Sequence, residues 1–319
     1  MSTELAYVSN SYADTVSVID VASNRLVDTI RMDHGEPHTI DRWPSGQVEL
    51  ANTPMNPTFT PDGTQLYVPN PEGYNIAVVD VTSNEVVAII DLGMKPNDLE
   101  FTEGGDRAVV TLLGRETGKQ GAVAVLDVAS GKATDPIMIG TQPEEVVLMP
   151  DGRRAYVVSK TLWVIDLEAN EVDKEVYMPH WCYDAVLSPD AETLYLTATF
   201  GADKVVVVDT ETNAVTGTID VLMPACMAFT RDGRRMIVSN VYNNSMQAIE
   251  LATGEVSEPA PVGELPSFIA LTGAGDRAFV CHPAGDFVTV IDTESLAVVD
   301  TIKVDDGPCA VAIGTVPGS

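Results

Sequence analysis

A repeat of about 42 residues runs along the chain and limits its fold more than any other feature of the sequence. A proline is followed five residues later by a large apolar residue at six places, and a cysteine takes the proline position at a seventh. The apolar members of these pairs are Phe59, Phe101, Leu148, Leu187, Phe229, Leu271 and Ile313, at separations of 42, 47, 39, 42, 42 and 42 residues. Such a period indicates an array of similar structural units.

Each repeat contains short segments that are typical of β-strands. The apolar residue is followed by a turn rich in Asp, Gly and Pro, such as Pro61-Asp62-Gly63, and then by an aromatic or β-branched run such as Tyr67-Val68. A third run ends in an acid, as in Val78-Val79-Asp80, and a fourth follows a turn of Thr, Asn or Gly. No segment shows the helical period. Four short strands in about 40 residues predict the blade of a β-propeller.

The two ends of the chain predict how the array closes. The chain begins at a second strand, residues 6–10, and ends with an unpaired first strand, residues 309–315. The last strand should therefore complete the first blade, which removes free sheet edges. The predicted fold is an all-β, seven-bladed β-propeller with four antiparallel strands per blade, built as one domain from residues 1–319.

The strand motifs also resemble those of a known family. The second strands read Tyr7-Val8-Ser9-Asn10, Tyr67-Val68-Pro69-Asn70 and Ile237-Val238-Ser239-Asn240, and the third strands include Val16-Ser17-Val18-Ile19-Asp20. In these motifs the chain resembles the YVTN-repeat β-propellers over essentially its whole length. The resemblance implies the fold. It leaves the function open, because propellers include hydrolases, lyases, copper and iron enzymes and non-catalytic scaffolds.

The charge balance excludes some partners. Lys and Arg number 18 against 47 Asp and Glu, a formal net charge of −29. Nucleic acids and anionic membranes are bound mainly through Lys and Arg, so neither is an expected partner. A small-molecule ligand or a basic protein remains, and the acidity alternatively serves only solubility.

Features that are missing from the sequence support an expectation about the compartment and the oligomeric state of the protein. No run approaches the roughly 18 apolar residues of a membrane helix, and no signal peptide is visible at the N-terminus. An exported protein without its leader would look the same. The cysteines contain no CxxC pair, which favours free thiols in a reducing compartment. We expect a cytoplasmic monomer. The four cysteines are Cys182, Cys226, Cys281 and Cys309.

All four histidines map to one predicted face of the propeller, which we call the upper face. It carries the connections into the first strand and those between the second and third strands. His34 and His38 lie in an unusually long connection, residues 32–54, while His180 precedes a first strand and His282 follows a second strand. Neutral imidazole is a common metal ligand, so these histidines predict a divalent or transition metal site. The alternative is that they are ordinary surface histidines.

Three acids join the predicted site. Asp98, Glu145 and Asp184 stand two residues after the repeat proline, or its cysteine substitute, in three successive repeats. Like charges this close should raise at least one pKa unless a cation is present. The acids are candidates for metal ligand or general base. The alternative is that they are solvated and paired with Lys95, Arg115, Lys119 or Lys160.

The remaining candidates are cationic or aromatic side chains of the upper face. A connection as long as residues 32–54 is typical of a lid or binding loop. Its Arg42, together with Arg115, would orient an anionic group. Aromatic residues suit an organic ligand or a protein partner. The aromatic candidates are Trp43, Trp181, Tyr183, Tyr242 and Phe268.

The leading hypothesis is a soluble enzyme that acts on a small molecule at the upper mouth of the channel. Its chemistry would be metal-assisted hydrolysis, elimination or isomerisation. The alternatives are a non-catalytic propeller that binds a ligand or a basic protein, and an architectural repeat without a site.

Overall fold

The computed structural model describes residues 2–32, 34–35, 37–41, 47–114, 120–140, 142–199 and 201–317, with only the backbone for His38, Asp41 and Val48. Nearly all regular structure in these ranges is β-strand, apart from one 3-10 turn at Val241–Asn243. No helix in the described ranges is long and apolar enough to cross a membrane. The chain forms two compact units, residues 1–96 with 261–319 and residues 97–260.

The first unit contains three antiparallel four-stranded sheets and a separate hairpin. Blade 1 has the strand order β3-β2-β1-β32, and blades 2 and 7 run in chain order. The strands of this unit are β1 (Thr3–Asn10), β2 (Thr15–Asp20), β3 (Arg25–Arg31), the hairpin β4 (His38–Asp41) and β5 (Gln47–Leu50), β6 (Thr58–Phe59), β7 (Gln65–Asn70), β8 (Asn75–Asp80), β9 (Glu85–Asp91), β28 (Ile269–Leu271), β29 (Arg277–Cys281), β30 (Phe287–Asp292), β31 (Val298–Lys303) and β32 (Pro308–Val316).

The second unit contains blades 3 to 6, again antiparallel and in chain order. Its strands are β10 (Lys95–Phe101), β11 (Arg107–Leu113), β12 (Ala122–Asp127), β13 (Lys132–Ala133), β14 (Ile137–Met138), β15 (Val146–Leu148), β16 (Arg154–Val157), β17 (Thr161–Asp166), β18 (Glu171–Tyr177), β19 (Cys182–Leu187), β20 (Thr193–Ala198), β21 (Lys204–Asp209), β22 (Ala214–Asp220), β23 (Pro224–Phe229), β24 (Arg235–Asn240), β25 (Ser245–Glu250), β26 (Glu255–Val256) and β27 (Ala260–Pro261). The predicted seven-bladed β-propeller is confirmed.

The C-terminal strand completes the N-terminal blade, as the sequence predicted. Strand β32 pairs antiparallel with β1 from Thr3 opposite Val316 to Asn10 opposite Pro308, with a register shift between Ser9 and Asn10. The partners are more than 300 residues apart in some pairs, so this sheet ties the two ends of the chain together. One strand from the C-terminus and three from the N-terminus make the blade.

Two blades depart from the simple four-strand pattern. In blades 3 and 6 the fourth strand is split, into β13 and β14 and into β26 and β27, and both pieces pair with the third strand. Pro136 and Pro259 lie in the interruptions. Proline cannot donate a ladder hydrogen bond, which explains why the strand breaks there.

The core lies between neighbouring blades. The second and third strands are almost fully buried, whereas the fourth strand is mostly exposed; β2 and β3 show this contrast. One apolar cluster joins Tyr7 and Val16 of blade 1 with Leu66 of blade 2. Another joins Tyr156 of blade 4 with Leu196 of blade 5. Burial of both faces of the inner strands explains their long apolar runs.

Candidate functional site

Three first-strand acids of the second unit lie close enough to interact. Asp98 is in β10 and Asp184 in β19, and both side chains are buried. Glu145 immediately precedes β15 and keeps part of its surface accessible to solvent. The charges of Asp98 and Asp184 both raise the pKa of Glu145. The structure therefore brings together the three acids that the repeat placed in successive blades.

Asp98 and Asp184 share a pattern of hydrogen bonds that connects adjacent blades. The backbone N–H of Asp98 donates to Thr111 Oγ1 (3.0 Å), and its Oδ2 accepts from the Val146 N–H in the next blade (2.9 Å). Asp184 does the same with Thr197 (3.0 Å) and with the Met227 N–H (2.8 Å). Both carboxylates therefore help to hold neighbouring blades in register. This is a structural role that the sequence did not indicate.

Glu145 and Asp184 interact through their side chains. This interaction raises the pKa of Glu145 and opposes the rise at Asp184. Burial is the largest cause at both groups. It raises the pKa of Glu145 well above its usual range and that of Asp184 to about 6. Both groups therefore hold a proton more readily than a solvated carboxyl group does.

Two further acids with raised pKa flank this pair. Glu100 accepts a hydrogen bond from the Leu148 N–H (2.5 Å), yet burial raises its pKa to about 8. Burial also raises the pKa of Glu144 to about 7, opposed by a hydrogen bond from the Trp181 indole. We use the name carboxyl cluster for Asp98, Glu100, Glu145 and Asp184.

The sequence predicted that at least one of these pKa values would rise, and this is confirmed. The main cause differs from the expected one, because burial outweighs repulsion between the acids at both Glu145 and Asp184. Glu100 and Glu144 were missed. Glu100 lies two residues after Asp98 and therefore on the same face of β10, which is a signal that strand alternation could have supplied.

His282 is buried, and both of its ring nitrogens contact protein groups. Its Nδ1 lies 2.7 Å from the Glu264 carbonyl oxygen, and its Nε2 lies 2.9 Å from Thr289 Oγ1. The ring also stacks on Phe287, with centroids 4.5 Å apart. Burial lowers its pKa, so the ring is neutral, with Nδ1 as donor and Nε2 as acceptor. Metal binding would have to displace the Thr289 hydroxyl from Nε2.

The other predicted metal ligands are placed as follows. His34 and His38 lie in the first unit with His282, and His38 begins strand β4. The long connection is therefore partly a hairpin rather than a loop throughout. His180 belongs to the second unit and is half-buried. Within the described ranges, no three or more His, Cys, Asp and Glu side chains are grouped so as to hold a metal ion. The predicted metal remains a prediction.

The aromatic and basic candidates have mixed outcomes. Arg42, Trp43 and Arg115 lie outside the described residues. Trp181 is 43% exposed, and its indole lies near enough to Glu144 to oppose the rise in the pKa of that residue. Lys95, one proposed partner of the acids, instead pairs with Glu72 in the first unit at 2.6 Å. Of the remaining aromatics, Tyr242 is exposed, and Tyr183 and Phe268 are half-buried.

The base of the long connection is held firmly, although its tip is not described. The Asp14 carboxylate accepts hydrogen bonds from the N–H groups of Ala51 (2.6 Å), Asn52 (3.2 Å) and Thr53 (2.8 Å). Asn52 Nδ2 donates in turn to the carbonyl groups of Met32 and His34. These hydrogen bonds therefore fix the chain at both ends of hairpin β4–β5.

The four cysteines are free, as the sequence predicted, and all four are buried. Burial raises the pKa of Cys182 and of Cys309 to about 12 and also raises that of Cys281. A thiol is a poor nucleophile when its thiolate is disfavoured. These three cysteines are therefore poor candidates for catalysis.

Similarity to known proteins agrees with the fold. The chain matches no family model. It is 25% identical over 294 residues to the seven-bladed β-propeller protein Rv1057 of Mycobacterium tuberculosis. The alignment covers 79% of this chain and 69% of the relative.

Solved structures show the same architecture. Hydrazine synthase of Kuenenia stuttgartiensis has a TM-score of 0.70 at 20% identity, covering 81% of this chain and 88% of that one. A functionally unknown protein from Desulfotomaculum acetoxidans has a TM-score of 0.78 at 13% identity, covering 98% and 99%. The dihydro-heme d1 dehydrogenase NirN has a TM-score of 0.65 at 18% identity, covering 94% of this chain and 63% of NirN. Sequence identities this low support a shared fold and do not support a shared function.

Proposed function

Because the chain is a seven-bladed β-propeller with an interacting pair of acids, we propose that it is an enzyme that carries out acid–base chemistry on a small molecule at the carboxyl cluster. The observation that carries the proposal is that Glu145 and Asp184 lie close enough to interact and that burial raises the pKa of both. Two acids whose surroundings keep one protonated and one ionised are a recurring arrangement of catalytic sites.

The proposed roles follow from where the proton lies. Glu145 is the partly accessible member and acts as general acid, giving its proton to the substrate. The carboxylate that remains then takes a proton from the substrate or from water, which restores the pair. Asp184 stays ionised and buried, held by the Met227 N–H. Hydrolysis, elimination and isomerisation all use such a step.

The surroundings favour a substrate that carries a positive charge. Four carboxyl groups lie close together at the site, and the exposed indole of Trp181 lies near Glu144. An aromatic face and carboxylates together bind organic cations, through cation–π attraction and charge. The net charge of −29 would draw such a ligand toward the protein.

We also propose that the chain is a YVTN-type propeller and a cytoplasmic monomer. The motifs at Tyr7–Asn10 and Tyr67–Asn70 support the first statement. The four free cysteines are consistent with a reducing compartment. Size-exclusion chromatography with light scattering tests the oligomeric state directly.

The proposed activity is tested by incubating the protein with a small-molecule extract and following each compound by mass spectrometry. Glu145→Gln keeps the shape of the side chain and removes the transferable proton, so turnover should fall about 100-fold or more. Glu168→Gln, at an exposed glutamate of the same unit, is the matched control and should behave like the wild type.

A compound that the wild type and Glu168→Gln consume, and Glu145→Gln does not, supports the proposal. A compound that is bound but never consumed would favour the alternative, a binding propeller without catalysis. Thermal-shift measurements with spermidine and choline as organic cations, and with Ca²⁺ and Mn²⁺, compare the two ligand classes. Elemental analysis of protein purified without added metal tests the metal that the sequence predicted.

A further inference from the structure

The hydroxyl group of Thr197 connects the acid–base pair to the neighbouring blade. Thr197 lies in β20, the second strand of blade 5, and is fully buried. Its Oγ1 accepts a hydrogen bond from the N–H of Asp184 (3.0 Å) and donates one to the carbonyl oxygen of Ala225 (2.8 Å). Both capacities of this hydroxyl are therefore used.

The position of Ala225 matters because of the residue that follows it along β23. Met227 is two residues further on, and its N–H donates to Asp184 Oδ2 at 2.8 Å. Strand β23 has a register shift between Pro224 and Met227, and only one residue separates Ala225 from Met227. A hydrogen bond that fixes the Ala225 carbonyl therefore restrains the short stretch that presents the Met227 N–H. Thr197 therefore holds Asp184 on its own blade and also holds the donor that reaches it from the next blade.

We propose that Thr197 is a positioning residue for the Glu145–Asp184 pair, and that its hydroxyl keeps the Met227 N–H on the Asp184 carboxyl group. The catalytic meaning of this inference rests on the proposed function, whereas the hydrogen bonds of Thr197 are present whether or not the pair is catalytic. An N–H that donates to Asp184 stabilises its ionised form.

Equivalent hydroxyl groups elsewhere in the second unit provide a matched comparison. Thr111 accepts from the Asp98 N–H in the same way, but its Oγ1 lies 3.3 Å from the carbonyl oxygen of Asp98 itself. Ser239 Oγ likewise accepts from the Cys226 N–H (3.0 Å) and lies 3.3 Å from the Cys226 carbonyl oxygen. Their hydroxyl contacts remain within the blade, whereas that of Thr197 reaches the next one.

The test uses the full chain without ligand. Thr197→Val removes the hydroxyl at nearly constant volume, Thr111→Val is the control, and Thr197→Ser should rescue. The apparent pKa of Asp184 is followed by carbon-detected NMR of the labelled carboxyl group. Hydrogen exchange of the Met227 amide is measured on the same samples.

Thr197→Val should raise the apparent pKa of Asp184 by about one unit, as expected when a hydrogen bond to the ionised form weakens. Met227 exchange should become faster. Thr111→Val and Thr197→Ser should leave both readouts as in the wild type. If Thr197→Val does not fold, Thr197→Ala replaces it, because it also lacks the hydroxyl.

An unchanged titration of Asp184 in the hydroxyl-free variant would overturn the inference, and so would an equal shift in Thr111→Val. The outcome is separable from the proposed function. If Glu145→Gln leaves turnover intact while Thr197→Val shifts Asp184, catalysis by the pair is wrong and the positioning role stands. If the reverse holds, the activity stands without Thr197.

Discussion

The hydroxyl group of Tyr156 lies 2.6 Å from Oδ1 of Asn213, a residue in the turn before the fourth strand of the next blade. Asn213 has φ near 54°, in the left-handed region where Asn is tolerated. In the first unit Tyr7 makes the same contact with Asn84 at 2.9 Å, also at positive φ. A tyrosine of one blade thus closes a turn of the following blade, which links the repeated motif to the stability of the array.

Tyr156→Phe should destabilise the protein because it leaves the Asn213 oxygen without its donor. An unpaired polar atom in a mostly buried position costs about 1–3 kcal/mol. The free energy of unfolding in urea should fall by roughly that amount. Tyr177→Phe removes a hydroxyl from a side chain that is 80% exposed, and serves as the control that should change little. Equal stability of the two variants would contradict the role of this contact.

The turn of blade 4 supplies the complementary prediction. Asn170 has the same left-handed backbone, φ 55°, but its Oδ1 is buried with no hydrogen-bond partner among the described residues. The residue that corresponds to Tyr156 one blade earlier is Val109, which has no hydroxyl. Asn170→Gly should therefore be neutral or stabilising, because glycine adopts this conformation without strain and removes the unpaired oxygen.

Asn213→Gly makes the matched measurement, since it alters an equivalent turn but also removes the partner of Tyr156. It should lower the melting temperature, whereas Asn170→Gly should not. Two variants with the same loss would show that turn conformation alone decides the outcome.

The buried acids of the second unit predict that the protein becomes more stable as the pH falls from alkaline values. Burial raises the pKa of Glu100 to about 8, of Glu144 to about 7 and of Asp184 to about 6, above their usual values. An acid with a raised folded-state pKa contributes stability that is complete below its unfolded pKa and is lost as the pH rises through the folded value. The melting temperature should therefore increase between pH 9 and about 6.

Glu100→Gln should flatten this dependence, because glutamine cannot ionise. Glu168→Gln, at the exposed surface, should keep the wild-type profile. At lower pH the opposite effect takes over. Asp62, Asp80 and Asp127 have lowered pKa values, first because of side-chain hydrogen bonds from Thr or Ser, and their contribution is lost as the pH falls through those values. A melting temperature that rises from pH 6 to 9 would contradict the prediction.

Deletion of residues 306–319 should expose the edge of β1 and promote association. Strand β32 covers this edge from Thr3 to Asn10, and an uncovered strand is a template for pairing with another chain. Light scattering should detect oligomers at micromolar concentration, together with a lower melting temperature. Deletion of residues 317–319 leaves β32 complete and is the control. A truncated chain that stays monomeric and melts like the parent would show that blade 1 does not need its C-terminal strand.

His282→Asn tests the assignment of this histidine as structural. Asn10 and Asn240 occupy the same position in their repeats, and each donates from Nδ2 to the side chain seven residues later, as His282 contacts Thr289. The asparagine should therefore keep the contact to Thr289 and lose the one to the Glu264 carbonyl. Hydrogen exchange should increase around residues 263–265, and the fold should persist.

His282→Ala loses both contacts and should be less stable than His282→Asn. If His282 were instead a metal ligand, both variants would lose bound metal to the same extent, which elemental analysis would reveal.

The sequence alone determined the architecture. The 42-residue period, the alternating apolar runs and the Asp-Gly turns require only local geometry and burial of both sheet faces, so they specify blades without reference to distant residues. The closure of blade 1 was also readable, because the ends of the chain lacked complementary strands. The split fourth strands follow from prolines that the sequence displays.

The site depended on tertiary structure. The repeat indicated that Asp98, Glu145 and Asp184 would gather. The pKa of Asp184 depends on burial and on a backbone N–H that comes from 43 residues further along the chain. Likewise, the position of His282 in the repeat suggested a metal ligand, and its contacts to Glu264 and Thr289 became visible only in the tertiary structure. A pKa and a hydrogen bond both depend on neighbours that packing supplies, and those neighbours are distant in the sequence.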